Sequence, residues 1–309
     1  MTILITGTTG FVGTNLNSVL AKQGHQIIEV NRTAKPGTYT FDELLSGDFH
    51  ANIWIHLASK AKDKNENELL EQYVAVNVDL SQKVFKAFIN DPLASTFIYF
   101  STVKAAASIV DGVLTEECEL EVDVPYGLSK RLAEKALISE KLPKEKKLII
   151  LRPALIYGYN TNSNLYSLYK FIKRGIPYPF AAFDNKRTMI SIDNLAFVIL
   201  NIIQNPSFKA GIYNVADDDA ISTNELTALI RESMGKQPLS MKIPKGLIKF
   251  MFRCGDWLHL PINTQTLNKL TGDYIVSNAK LKNELGLPLP VSARNGLKSL
   301  FNSFQQTTI

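Results

Sequence analysis

Five short, almost wholly apolar runs recur in the first half of the chain: TILIT (Thr2–Thr6), QIIEV (Gln26–Val30), IWIHL (Ile53–Leu57), FIYFS (Phe97–Ser101) and LIILR (Leu148–Arg152). β-Branched runs of this length with no polar face suit strands covered on both sides, as in a parallel sheet. Between them the apolar positions change to a helical spacing over Phe11–Gln23, Glu68–Asn90 and Tyr126–Glu140. Strand and helix in alternation predict an α/β chain with a doubly wound parallel sheet.

Beyond Gly158 the pattern loosens. YNTNSN (Tyr159–Asn164) reads as a loop, LYSLYKFIKRG (Leu165–Gly175) as a helix, and IPYPFAAFDN (Ile176–Asn185) carries two prolines that oppose regular structure. Residues 1–158, rejoined at about 188–215, are expected to form the sheet domain. Residues 159–187 and 216–309 are expected to form a smaller, mostly helical lobe for a substrate. Within that lobe GLIKFMFRCGDWLHL (Gly246–Leu260) is amphipathic and aromatic. It reads as a helix packed in the lobe, with a membrane-surface helix as the alternative.

Composition narrows the class of protein. Of 309 residues 45% are hydrophobic and 20% charged, which fits a folded soluble chain rather than a disordered one. The balance of 34 basic and 29 acidic side chains is only mildly positive, and KLPKEKK (Lys141–Lys147) reads as a solvated helix end, so no nucleic-acid partner is expected. Two unpatterned cysteines and four scattered histidines point to a reducing compartment and to no metal. With no charged leader and no apolar run of membrane-spanning length, a cytoplasmic location is expected.

The candidate chemistry begins where the first run meets GTTGFVG, a Rossmann-type turn with Gly7, Gly10 and Gly13 three apart. There glycines serve a tight bend, close approach of backbone to a pyrophosphate, and close packing of helix on strand. Thr9, Phe11 and Val12 lie between them, and the helix N-terminus offers free N–H groups to the phosphates. The second run ends in Asn31 and Arg32, where an NAD site would place a carboxylate for the ribose diol. A guanidinium suits a 2′-phosphate, so NADP(H) is favoured over NAD.

PYGLSKRLAEKAL (Pro125–Leu137) places Tyr126 and Lys130 four apart, on one helical face. A phenol needs a shift of roughly 3 units, about 4 kcal/mol, to exchange protons near neutrality. An ammonium about 4 Å away could contribute on the order of 4 kcal/mol at an effective dielectric of about 20. Thr102, after the fourth strand, could bind a substrate oxygen and steady the phenol, with Ser101 as the substitute.

TGTTGFVG, IHLAS, VNVDLSQKVFKAF, FST, YGLSK and LRPALIYG, in this order from Thr6 to Gly158, resemble the extended short-chain dehydrogenase/reductase family of epimerases, dehydratases and reductases. NKRTMISIDNLA and LKNELGLPLP resemble its nucleotide-sugar members. The resemblance implies Thr102, Tyr126 and Lys130 as catalytic residues, with Lys130 also on the nicotinamide ribose. It further implies Asn77 as a support for the site, Ala58 along the cofactor, Pro153 and Ile156 beside the nicotinamide, and Arg187 at the nucleotide of a UDP-hexose-type substrate. Asn164 is a further substrate candidate.

Val103 and Lys104 stand where the family's 4,6-dehydratases carry Asp-Glu, which disfavours dehydration. Ala105–Ala107 and Tyr159 also depart from the family's usual residues. Two outcomes share this machinery at sugar C4: a 4-ketoreductase using NADPH, favoured by Arg32, and a 4-epimerase holding NAD. A non-catalytic NADP(H)-binding sensor is the rival from another class. A homodimer through two long helices is expected by analogy with the family.

Overall fold

The computed structural model describes residues 1–61, 70–159, 164–257 and 263–306. The first half runs β1 (Thr2–Thr6), α1 (Phe11–Lys22), β2 (Gln26–Asn31), β3 (Tyr39–Thr40), α2 (Phe41–Ser46), β4 (Ile53–His56), α3 (Leu70–Val74), α4 (Leu80–Asn90) and β5 (Thr96–Phe100). It continues through β6 (Val113–Leu114), α5 (Pro125–Ser139), β7 (Lys147–Pro153) and β8 (Leu155–Tyr157). The second half holds α6 (Asn164–Lys173), β9 (Lys186–Ser191), α7 (Ile192–Gln204), β10 (Gly211–Val215), β11 (Ala220–Ser222) and α8 (Thr223–Ser233). It closes with α9 (Lys245–Trp257), α10 (Thr264–Thr271), β12 (Ile275–Val276), α11 (Ala279–Leu285) and α12 (Ala293–Gln306).

Seven strands form one sheet in the order β10-β7-β5-β4-β1-β2-β3, and every pairing in it is parallel. The chain winds one way from β1 to β2 and the other way from β1 to β4. A crevice therefore opens beyond the carboxyl ends of β1 and β4, where open α/β sheets bind ligands. This is the doubly wound, Rossmann-type sheet that the apolar runs predict.

Side chains alternate across each strand and bury both faces of the sheet. Ile3, Ile5, Ile55 and Ile98 pack with Leu16 and Leu20 of α1 and with Leu195 and Ile199 of α7. Leu4, Trp54, Phe97 and Tyr99 pack with Phe85 and Phe88 of α4 and with Ala133 and Leu137 of α5. Pro125, at the first position of α5, presets the helical φ and fixes where that helix starts.

Two departures from the sequence expectation bear on the site. β5 ends at Phe100, so Ser101 lies outside the strand. The helix expected over Glu68–Asn90 is interrupted by a π-turn at Ala75–Asp79, and its first residues, Glu68 and Leu69, lie outside the described residues. Asn160–Ser163 of the expected loop, and the end of the amphipathic segment from Leu258, also lie outside them.

After β8 a three-stranded sheet forms in the order β11-β9-β8. Beside it α6, α8 and α12 enclose Tyr169, Leu229, Leu297 and Phe301. The returning segment places α7 against the α1 face and adds β10 at the edge of the main sheet, beside β7. α9 and α10 share a much smaller core of Phe183, Ile248, Phe252 and Leu267.

Candidate active site

At the carboxyl end of β1 the backbone turns sharply. Gly7 takes φ +78°, and a Cβ there would lie 2.8 Å from the Ala58 nitrogen. A side chain at Gly13 would collide with the Gly7 carbonyl, so both glycines are required by the fold itself. Gly10 is different. It is exposed, nothing meets its Cβ position closer than 3.4 Å, and it caps α1 without any side-chain hydrogen bond. The first turn of α1, with Phe11 and Val12, thus presents its N–H groups to the crevice mouth.

Asn31 ties this turn to β2. Its Oδ1 accepts from the Thr9 N–H at 3.2 Å, and its Nδ2 donates to Thr8 Oγ1 at 2.8 Å. The amide is therefore spent on holding the loop. Arg32, the next residue, is exposed, and among the described residues nothing pairs with it.

Thr102 and Tyr126 meet on the other side of the crevice. Gly127 lets α5 approach the loop after β5, since a Cβ there would lie 2.5 Å from the Lys104 carbonyl oxygen. Burial pushes the half-buried Tyr126 phenol up to about 12, and a hydrogen bond with Thr102 draws it partly back. The ammonium of Lys130 does not lower it. Lys130 is buried and donates to the Phe100 carbonyl at 2.6 Å and to Tyr99 Oη at 3.2 Å. Burial lowers Lys130 to about 7, partly offset by the nearby Glu134 carboxylate. The lowering of the phenol expected from a neighbouring ammonium is thus corrected: burial raises it instead, and the lysine, stripped of water, donates to oxygens behind the site.

Ser101 is not the substitute for Thr102. Its hydroxyl donates to Glu134, whose carboxylate forms a buried two-pronged pair with Arg152, 2.6 Å from Nη2 to Oε2. Ser101 therefore faces the interior under α5, one residue out of register with the crevice.

Asn77 lies at the π-turn and is fully buried. Its amide accepts from the Lys60 N–H at 2.8 Å and donates to the Lys60 carbonyl at 3.0 Å and to Ser129 Oγ at 2.9 Å. Ser129 in turn donates to the Tyr126 carbonyl at 2.8 Å. Asn77 acts as a bracket between the segment that follows Ala58 and the first turn of α5.

Arg187 sits half-buried in β9, bridged to Tyr274, whose hydroxyl donates to the Val103 and Ala107 carbonyls at 3.1 and 2.7 Å. That bridge ties Arg187's strand to the loop that follows Thr102. Pro153 ends β7 in the interior, and Ile156 of β8 packs partly buried against the sheet core. Asn164 is exposed at the start of α6, and no observation draws it into the crevice.

Residues 3–216 match the NAD dependent epimerase/dehydratase family. The chain belongs to this family. Among its epimerase/dehydratase relatives, a UDP-glucose 4-epimerase of Vibrio cholerae is 29% identical over 320 residues, covering 98% of this chain and 95% of its own. A UDP-2-acetamido-2,6-beta-L-arabino-hexul-4-ose reductase of Pseudomonas aeruginosa is 26% identical, covering 82% of this chain and 63% of its own. The crystal structure of the human epimerase family protein SDR39U1 with NADPH shares the fold at TM-score 0.77 and 18% identity, over 97% of this chain and 99% of that one.

The turn fits the family's dinucleotide. Gly10 leaves open backbone where a phosphate would approach, and the uncapped first turn of α1 supplies N–H donors for it.

Behind this candidate site runs a buried polar chain that sequence reasoning missed. The Ala58 N–H donates to Thr6 Oγ1 at 3.3 Å, and Thr6 lies 2.7 Å from His56 Nδ1. His56 Nε2 lies 2.9 Å from Ser81 Oγ, which donates to the Asn77 carbonyl at 2.8 Å. Since Ser81 gives its proton to Asn77, the consistent tautomer carries its proton on Nε2 and accepts from Thr6 on Nδ1. Tyr99 Oη donates weakly to the same carbonyl at 3.4 Å and accepts from Lys130. Burial, then the Lys130 charge, lowers His56 to about 3, so this imidazole stays neutral. The signal was a histidine within an otherwise apolar strand, two residues before Ala58.

Proposed function

We propose that the chain is a nucleotide-sugar oxidoreductase acting at C4 of a UDP-hexose-type substrate, reducing a 4-ketone with NADPH. The Tyr126 phenol carries this reading: beside Thr102 and held up to about 12 by burial, it is protonated at any physiological pH. A protonated phenol is the partner a ketone oxygen needs as it becomes an alcohol. NADPH, when bound, supplies hydride to C4. Thr102 holds the ketone oxygen by hydrogen bond, and Tyr126 donates its proton to that oxygen as negative charge develops there. Lys130, fixed from behind by Phe100 and Tyr99, is assigned to the nicotinamide ribose. Asn77 keeps the α5 turn and the Ala58 segment in register. Arg187 is assigned to the nucleotide portion of the substrate.

Arg32 supports NADPH over NADH. It is an exposed guanidinium without a partner, next to an Asn31 whose oxygen is already occupied. The Vibrio relative favours a second reading, a 4-epimerase with resident NAD. There Tyr126 must first act as base, which requires its pKa to fall from about 12 toward neutrality, a change of about 7 kcal/mol.

The test is to denature the purified protein, identify any released nucleotide, and then offer a UDP-4-keto-hexose with NADPH. NADPH consumption matching the sugar alcohol formed supports the reductase. Stoichiometric NAD release with interconversion of C4 epimers and no net NADPH use would replace it with the epimerase.

A further inference from the structure

α9 presents two apolar faces, and only one is covered. Ile248 and Phe252 are buried against Phe180 and Phe183. Leu247, Phe250, Met251 and Trp257 are 52%, 64%, 58% and 81% exposed. At 3.6 residues per turn these four fall within about 120° of one another, in a sector beside the buried face. Four large apolar side chains clustered outward on one helix form a contact surface rather than scattered exposure.

The charges around this sector indicate what covers it. Lys236, Lys242, Lys245, Lys249 and Arg253 are all exposed, and no ion pair among the described residues engages them. Residues 235–257 contain one acid, Asp256, and its carboxylate is taken by the Thr264 N–H and hydroxyl at 3.0 and 2.8 Å. A second copy docked face to face would set these cations against themselves with no carboxylates to meet them. An anionic lipid surface complements both features, because headgroup phosphates receive the ammonium and guanidinium groups while aromatic and aliphatic side chains enter the upper acyl region. Thirteen residues reach about 20 Å, too short to cross a hydrocarbon core of about 30 Å. As described, the helix suits lying on a bilayer, and no described helix is long and apolar enough to cross a membrane.

We propose that α9 is an interfacial anchor that seats this lobe on anionic lipid, with Leu247, Phe250, Met251 and Trp257 inserted and Lys245, Lys249 and Arg253 on the headgroups. The lobe would then work at the membrane surface while the crevice stays in water.

The chain supplies its own probe. It has two tryptophans, of which Trp54 is 1% exposed and Trp257 81% exposed, so a change in emission on lipid binding reports Trp257. The full chain is mixed with vesicles of phosphatidylglycerol and phosphatidylcholine, with phosphatidylcholine vesicles alone, or with neither. Co-sedimentation with the anionic vesicles and a shift of emission to shorter wavelength are expected, both weakened by about 1 M salt. The double variant Phe250→Ser/Met251→Ser should partition at least about tenfold more weakly while its far-UV spectrum and nucleotide binding are unchanged. Lys245→Glu/Lys249→Glu/Arg253→Glu should lose the preference for phosphatidylglycerol. Failure of the wild type to sediment with anionic vesicles overturns the proposal. So does an equal emission shift without lipid as protein concentration rises, which would show a second copy on this face.

Discussion

The sheet crevice and helix α9 treat charge and apolar surface in opposite ways. Around the crevice the ionisable groups are inside: Lys130, Glu134, Arg152 and His56 are buried, and each is engaged by hydrogen bonds. On α9 the cations are outside without acid partners, and large apolar side chains face water beside a core of four buried residues. Burying an ion pair is tolerated only when geometry compensates lost hydration, so the first arrangement fixes the positions of its groups. Exposed apolar groups cost little in folding and leave their burial for a partner. On the proposed readings, one region is organised for chemistry and the other for contact.

The largest break in this comparison should come from Glu134→Gln, which strands Arg152 in the interior. A loss of about 3–5 kcal/mol of stability by urea unfolding is expected, and a loss near zero would show that the pair is not a structural element.

Next in size is a pH effect at Lys130, lowered to about 7 by burial. Between that value and its ordinary 10.5 the unfolded chain binds the extra proton, so the lysine's contribution to stability rises with pH across that window. Urea titrations should give the wild type a slope steeper than Lys130→Met by up to about 1.4 kcal/mol per pH unit. Parallel slopes would mean the ammonium keeps its ordinary pKa.

Arg32→Ala tests the outer edge of the crevice. NADPH should bind about 10 to 100 times more weakly, the worth of one or two charge-assisted hydrogen bonds, with NADH unaffected. Equal loss of both nucleotides would remove the basis for preferring NADPH.

The smallest effect belongs to α9: Phe250→Ser, at an exposed position, should shift urea stability by less than about 0.5 kcal/mol. A larger loss would mean that Phe250 is part of the core.

What the sequence made legible follows from how local each signal is. The strands were readable because burial on both faces leaves uninterrupted apolar runs, and the run TILIT coincides with β1 to the residue. The phosphate turn was readable because steric demands on Gly7 and Gly13 arise within a few residues of each other. The π-turn at Ala75–Asp79 was not, and the residues that Asn77 meets from it, Lys60, Tyr99 and Ser129, lie far away in sequence. Helical spacing told that Tyr126 and Lys130 share a face, but not which oxygens the lysine meets when it is dehydrated. The amphipathic pattern of α9 was visible, yet which of its apolar residues would be covered depended on the size of the lobe core beneath it.

The most direct measurement is the rate of NADPH-dependent reduction of a UDP-4-keto-hexose by Tyr126→Phe beside the wild type, with NADPH affinity and urea stability measured on both. Turnover is expected to fall about 10²- to 10⁴-fold while cofactor affinity and stability stay within about threefold and about 1 kcal/mol of the wild type. Undiminished turnover in the phenylalanine variant, or no reduction by the wild type, would contradict a reaction built on that phenol.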